Sequence, residues 1–186
     1  MTREDILEAA AQVFRQKGFH GASMNDIAEA VNLQKASLYH HVSSKQEILL
    51  EILGRALQLL LDRISPITSE EIPADKKLRL MIREYMQILA DNGDLATVLL
   101  FEHRALERRQ RARHVPNRDK FELLWRDVLA DGVENKIFKC EDIPLTVRAL
   151  LGLMNWTITW YHPDGEKSIE RIADDYSNLL MNGLLK

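Results

Sequence analysis

Apolar residues recur at three- and four-residue steps along almost the whole chain, a rhythm that fits helices and leaves little room for strands. Ile6, Leu7, Ala10, Val13 and Phe14 make the first stripe. Polar punctuation divides the rhythm into elements. The Thr2 hydroxyl suits an N-cap, and Gly18 suits the left-handed end of the same helix. Ser23 with Asp26 is a near capping box, with Asp in place of Glu, and starts a second, short helix. Asn32 follows, the next-best residue after glycine for a left-handed turn. A third helix covers about Lys35 to His41. Ser44 and Glu47 form an S-x-x-E box that starts a fourth, stopping near Ser65-Pro66.

The remainder reads the same way. One helix spans about Ala74 to Ala90 and ends at Asn92-Gly93. Another starts at Asp94 and carries "LATVLLFEHRALERR". Pro116 breaks the pattern, and a helix with Phe121, Leu124, Trp125, Val128 and Leu129 follows. Asp142 and Pro144 start the next, Pro163-Asp164-Gly165 is a turn, and the last helix holds Ile169, Ile172, Ala173, Tyr176, Leu179 and Leu180. "TVLLF" has strand-like composition, but its flanks favour helix. The expected fold class is all-α, about nine helices.

The 186 residues allow one or two domains. A net charge of -3 argues against a generic nucleic-acid coat and still permits a local basic face. A single cysteine, Cys140, allows no intrachain disulfide and fits a reducing cytosol. The N-terminal residues lack the pattern of a signal peptide, and no apolar run approaches the roughly 20 residues of a membrane span. A cytoplasmic location is expected.

One stretch departs from the core-forming pattern. "NLQKASLYHHVSSK", Asn32 to Lys45, crowds donors around two apolar anchors, Leu38 and Val42. Two short helices joined by a tight turn, the second polar on one face, is the helix-turn-helix signature. Ile27, Ala28, Val31, Leu38 and Val42 would lock the pair onto the first helix. Gln34, Lys35, Ser37, Tyr39 and His40 would point outward, with His41 and Lys45 just beyond. Lys and hydroxyl groups suit phosphate oxygens, and Gln and Lys suit base edges in the major groove. His40 and His41 are no metal pair, because adjacent helical residues point about 100° apart and no carboxylate or cysteine pattern accompanies them.

The run "GASMNDIAEAVNLQKASLYHHVSSKQEIL" resembles the DNA-binding domain of the tetracycline-repressor (TetR) family, with "DIA", "LYHHV" and "SK" at the family's spacing. Asn32 stands where many members have Gly, and Val42 where Phe is common; neither change removes a donor. The resemblance implies an N-terminal three-helix DNA-binding domain over residues 1–46 and a larger helical ligand-binding and dimerisation domain over 47–186. It implies phosphate contacts from Ser23, Tyr39, His41 and Lys45. It implies base or near-base contacts from Asn25, Gln34, Lys35, Ala36 and Ser37, with His40 at the edge. It also implies a homodimer on a palindromic operator.

"ALLGLMNWTITWY" is apolar on most of its circumference and so is buried on more than one side. With the final helix it would form the dimer interface. A pocket among the middle helices would draw on Met81, Tyr85, Met86, Leu89, Leu99, Phe101, Leu124, Trp125, Val128, Met154, Asn155 and Trp156, since Met and aromatic side chains adapt to an apolar ligand. The arginine-rich run Glu102 to Arg118 adds Arg104 and Arg108 as partners for ligand phosphate. "LLGLMNWTITWYHPDG" is similar to TetR-family regulators of fatty-acid and sterol-chain breakdown that respond to acyl-CoA, so an acyl-CoA or other amphipathic effector is expected, and no cofactor.

The reading is therefore a ligand-responsive repressor. Its two heads would sit near one DNA turn apart, roughly 34–36 Å. An architectural protein that binds DNA without sequence choice is the alternative, although it would carry a wider basic surface. An enzyme acting on a thioester finds no support: Cys140 has no acid–base partner nearby in sequence, and no glycine-rich phosphate loop is present.

Overall fold

A computed structural model describes residues 2–184. Among them the chain forms nine α-helices, one π-helical segment and two 3-10 turns, with no strand. It divides into two compact units. The first takes the chain up to Gln58 together with Gly93–Arg118, and the second takes Leu59–Asn92 and the chain from Asp119 onward. The boundary expected at residue 46 falls inside a helix, and the segment from Gly93 to Arg118 packs with the N-terminal residues.

In the first unit, α1 (Arg3–Gly21) starts at a complete capping box. The Asp5 N–H donates to the Thr2 hydroxyl at 3.2 Å, and the Thr2 N–H donates to the Asp5 carboxylate at 2.6 Å. Gly18 interrupts the helix with φ 68, and one further turn runs to Gly21. An L side chain is strained in that conformation, which explains a glycine there. α2 (Met24–Ala30) also has a complete box, because the shorter Asp26 still reaches the Ser23 N–H at 2.7 Å. Asn32 makes the left-handed turn with φ 53. α3 (Lys35–Leu38) is one helical turn, and Tyr39 to His41 continue as turn rather than helix. α4 (Lys45–Thr68) begins with half a box: Ser44 accepts the Glu47 N–H at 3.1 Å, while the Glu47 carboxylate turns to Arg113 at 3.2 Å. The core comprises Ile6, Ala10, Phe14, Ile27, Leu38, Ile48, Leu49, Ile52 and Leu53, all fully buried.

The helix expected from Asp94 through Arg109 is broken. α6 (Gly93–Thr97) passes into a π segment, Val98–Glu102, then a 3-10 turn, His103–Ala105, and Leu106 is extended with its side chain 2% exposed. The cause lies far away in sequence. The Gln46 amide donates to the Ala105 carbonyl at 2.8 Å and accepts the Glu107 N–H at 3.2 Å, satisfying the backbone groups that the break frees. Arg111 donates to the Arg104 and Leu106 carbonyls at 3.1 Å.

The expected break at Pro116 does not occur. α7 (Arg108–Glu134) runs through it. The proline forfeits one helical hydrogen bond, to the carbonyl of Ala112, which is exposed and so open to solvent. Pro66 likewise lies inside α4, near its end.

In the second unit, α5 (Ala74–Asp91) packs along α9 (Ile169–Leu184) and touches α8 (Ile143–Trp156). Arg79 reaches Asn178 at 2.9 Å and Arg83 pairs with Asp174 at 2.6 Å. Asp142 caps α8 by accepting the Leu145 N–H at 2.9 Å, with Pro144 in the first turn. The turn before α9 closes through Gly165 N–H to the His162 carbonyl at 2.9 Å.

Candidate DNA-reading surface and ligand core

The reading surface follows from two anchors. Ile27 and Leu38 are fully buried, and Ala28, Val31 and Val42 nearly so, which fixes α2 against α3. The opposite face is then forced outward. Ser23, Asn25, Gln34, Lys35, Ala36, Tyr39 and His40 are exposed, and Ser37, His41 and Lys45 are half-buried. All ten candidate residues thus reach solvent.

Two of them already have partners. The Ser23 hydroxyl accepts the Asp26 N–H at 3.2 Å and donates to the Asp26 carboxylate at 2.7 Å, so it serves first as the cap of α2. Lys17 pairs with the other Asp26 oxygen. The hydrogen bond from Lys17, then that from Ser23, holds the Asp26 carboxyl well below the usual carboxylate range. The Lys45 ammonium donates to the Phe19 and Ala22 carbonyls at 2.7 and 2.6 Å and lies 4.4 Å above the Phe19 ring centroid. It ties the corner between α1 and α2, and two of its three N–H groups are used in doing so. Arg3, paired with Glu51, donates to the His41 carbonyl at 2.6 Å and steadies the turn after α3.

The segment from Gly93 onward buttresses this head. Arg15 pairs with Asp94 at 2.7 Å, and Glu102 accepts the Phe19 N–H at 3.0 Å, beside the Gly18 bend. Gln46 and Glu47 add the contacts to Ala105, Glu107 and Arg113. Sequence reasoning missed Gln46 and Glu102, because each works through a partner more than fifty residues distant.

In the second unit, the aromatic candidates meet. Tyr85 stacks on Phe121 at 5.6 Å between centroids, and Trp125 stands edge-on to both, at 5.7 and 6.2 Å. The Tyr85 hydroxyl donates to Asn155 Oδ1 at 2.5 Å, and burial pushes its phenol pKa up. Trp125 is fully buried and Thr157 is 3% exposed, and among the described residues neither Trp125 Nε1 nor Thr157 Oγ1 has a partner. Met81, Met86, Leu89, Val128 and Met154 are buried, and Leu124 is half-buried. Phe121 belongs to this cluster, and Thr157 is buried in the same unit, without either having been singled out. A threonine inside "MNWTIT" was the available signal. The other candidates lie elsewhere. Trp156 is 65% exposed on α8. Leu99, Phe101, Arg104 and Arg108 fold with the first unit, with Leu99 against its core and the other three exposed. Among the described residues, no three His, Cys, Asp or Glu side chains gather as a metal site, and no helix is long and apolar enough to cross a membrane.

Comparison with known proteins places both parts. Residues 6–52 match the bacterial regulatory proteins of the tetR family, and residues 71–184 match the tetracyclin repressor-like C-terminal domain. The solved TetR family transcriptional regulator PfmR from Thermus thermophilus is similar, with TM-score 0.87 and 34% identity over 97% of this chain and 99% of its own. The HTH-type transcriptional repressor KstR2 of Mycobacterium tuberculosis is 25% identical, over 99% of this chain and 93% of its own. AibR, solved in complex with isovaleryl coenzyme A and operator DNA, has TM-score 0.90 and 25% identity over 96% of this chain and 97% of its own. The matched C-terminal profile alone covers more than half of the residues, and the chain belongs to the TetR family of bacterial transcriptional regulators.

Proposed function

We propose that the protein is a ligand-responsive transcriptional repressor, a homodimer that grips a palindromic operator and releases it when a small amphipathic effector enters the second unit. The observation that carries this reading is the pairing of two features in one chain. A locked helix-turn-helix presents ten donor-rich or small residues to solvent, and a buried aromatic cluster includes Trp125, whose Nε1 has no partner among the described residues. Buried polar atoms are nearly always hydrogen-bonded, so Trp125 Nε1 and Thr157 Oγ1 suit a ligand carbonyl. The cluster of Met81, Tyr85, Met86, Leu89, Phe121, Trp125 and Met154 suits an acyl chain. AibR binds isovaleryl coenzyme A, and an acyl-CoA thioester is accordingly the effector class we propose here.

Residues 1–46 read DNA in this account, and 47–186 bind the effector and dimerise. Within the latter, the segment from Gly93 buttresses the head, and α4 carries the signal between units by continuity of the chain. Trp156 moves from the ligand set to the dimer face, with Leu145 and Leu179, 60% and 63% exposed, on α8 and α9. Gly152 has open space beyond its Cα, which permits close helix approach. No catalytic role is assigned, and the protein acts in the cytoplasm, with the DNA. The test has two arms. DNA selected from a random library should be one palindrome, and isovaleryl coenzyme A or a longer acyl-CoA should weaken its binding. Selection of no consensus sequence would favour architectural binding instead.

A further inference from the structure

The first turn of α7 defies the usual charge preference of helix ends. The N-terminal end of a helix favours Asp and Glu, yet this one has Arg108, Arg109 and Arg111 and no acid. Most arginines of the first unit are spent on partners. Arg3 pairs with Glu51, Arg15 with Asp94, Arg55 with Glu4 and Arg113 with Glu47, while Arg111 caps two carbonyls. Arg104, Arg108 and Arg109 are exposed, and their guanidinium groups have no hydrogen-bond or ion-pair partner among the described residues.

Their position gives these free cations a purpose. Gln46 holds Ala105 and Glu107, and Glu47, one residue on, reaches Arg113 further along α7. The starts of α4 and α7 are therefore in contact. α4 starts at Lys45, shortly after the turn that carries His40 and His41, so the start of α7 lies near that end of the reading head. Helical side chains lean toward the N-terminal end of their helix, which aims Arg108 and Arg109 toward that same end.

We infer that Arg104, Arg108 and Arg109 form an outlying surface for operator phosphates, continuous with the reading head and beyond its ten residues. The inference rests on the DNA-binding reading above. Guanidinium groups match phosphate oxygens, and each phosphate neutralised releases counterions, so the surface adds affinity without sequence choice. It would lengthen the protected DNA at the edge of each head.

The test compares the full-length protein with Arg104→Gln/Arg108→Gln/Arg109→Gln and with the matching triple Lys variant. Operator binding is followed by anisotropy over a series of salt concentrations. The Gln variant should reduce the slope of log K against log salt by about 0.9 for each phosphate it no longer neutralises. Its deficit should shrink as salt rises, and the Lys variant should keep most of the slope. Hydroxyl-radical footprints should shorten in the Gln variant alone. An unchanged slope and footprint overturns the inference, and so does loss of coenzyme A binding with the slope intact, which would give these arginines to a ligand phosphate. Circular dichroism melting checks that the variant folds; if the Gln variant does not fold, single substitutions carry the same slope test. If the wild type itself selects no operator, the DNA-binding reading fails, and not this extension of it.

Discussion

Lys35 stands exposed at the first position of α3, its ammonium without a partner among the described residues, on a helix fixed by Leu38. A side chain so placed is free to read a base. Lys35→Ala should cost about 1–3 kcal/mol of operator binding and relax selectivity at one base position, seen by titrating single-base operator variants. A uniform loss across all variants would make Lys35 a phosphate contact. Asp26 supports the same face from behind. Its folded pKa lies below the ordinary 3.8, so its stabilisation is present above that value and fades as pH falls through the folded pKa. Asp26→Asn should therefore lower the melting temperature at pH 7, and the gap from wild type should narrow progressively below pH 4. A gap independent of pH would contradict the Lys17 and Ser23 bonds as its source. In the aromatic cluster of the second unit, Tyr85→Phe leaves Asn155 Oδ1 short of a donor and should cost about 1–3 kcal/mol in urea unfolding. The outward donors of the reading head were legible residue by residue because they alternate with few apolar anchors. Trp156 was not, since an indole on an apolar helix reads alike whether it faces a core or a second subunit.

At the scale of elements, the sequence marks helix ends well where the signal is local. Thr2 with Asp5, Ser23 with Asp26, and Asp142 all cap where expected, and Gly18 and Asn32 take positive φ. It fails where a distant side chain decides. The periodicity from Asp94 to Arg109 is helical, yet Gln46 captures Ala105 and Glu107 and holds the segment broken. Pro116 fails in the opposite sense, since a long, otherwise well-formed helix absorbs one missing bond at an exposed turn. Pro116→Ala should accordingly raise stability by about 1–3 kcal/mol in urea unfolding. The far end of α7 is tighter. A Cβ on Gly132 would fall inside contact distance of the Phe138 ring, and the Gly132 carbonyl accepts the Ile137 and Phe138 N–H groups at 2.8 and 2.9 Å. Gly132→Ala should cost about 1–3 kcal/mol by overpacking. A neutral outcome would mean that the Phe138 ring swings aside freely.

For the whole molecule, DNA reading and ligand response are joined only if the chain works as a dimer, because one short head makes few contacts. Leu179→Arg replaces an exposed apolar side chain of α9, on the proposed dimer face, with a charge. It should convert the dimer to monomer in sedimentation and reduce operator affinity at least about tenfold, the loss expected when two linked heads bind singly. The effector then acts through population. It can shift dimers away from the operator-competent state only by its differential affinity for the two states, and about 1.4 kcal/mol of difference is needed for each tenfold release. The central measurement is therefore the operator affinity of the purified dimer titrated with acyl-CoA thioesters of increasing chain length, starting at isovaleryl coenzyme A. At least one thioester should weaken binding tenfold or more, and Trp125→Leu should blunt that response while the free dimer still binds the operator. Operator affinity that stays constant at saturating thioester, with binding of the thioester shown independently, would contradict the account.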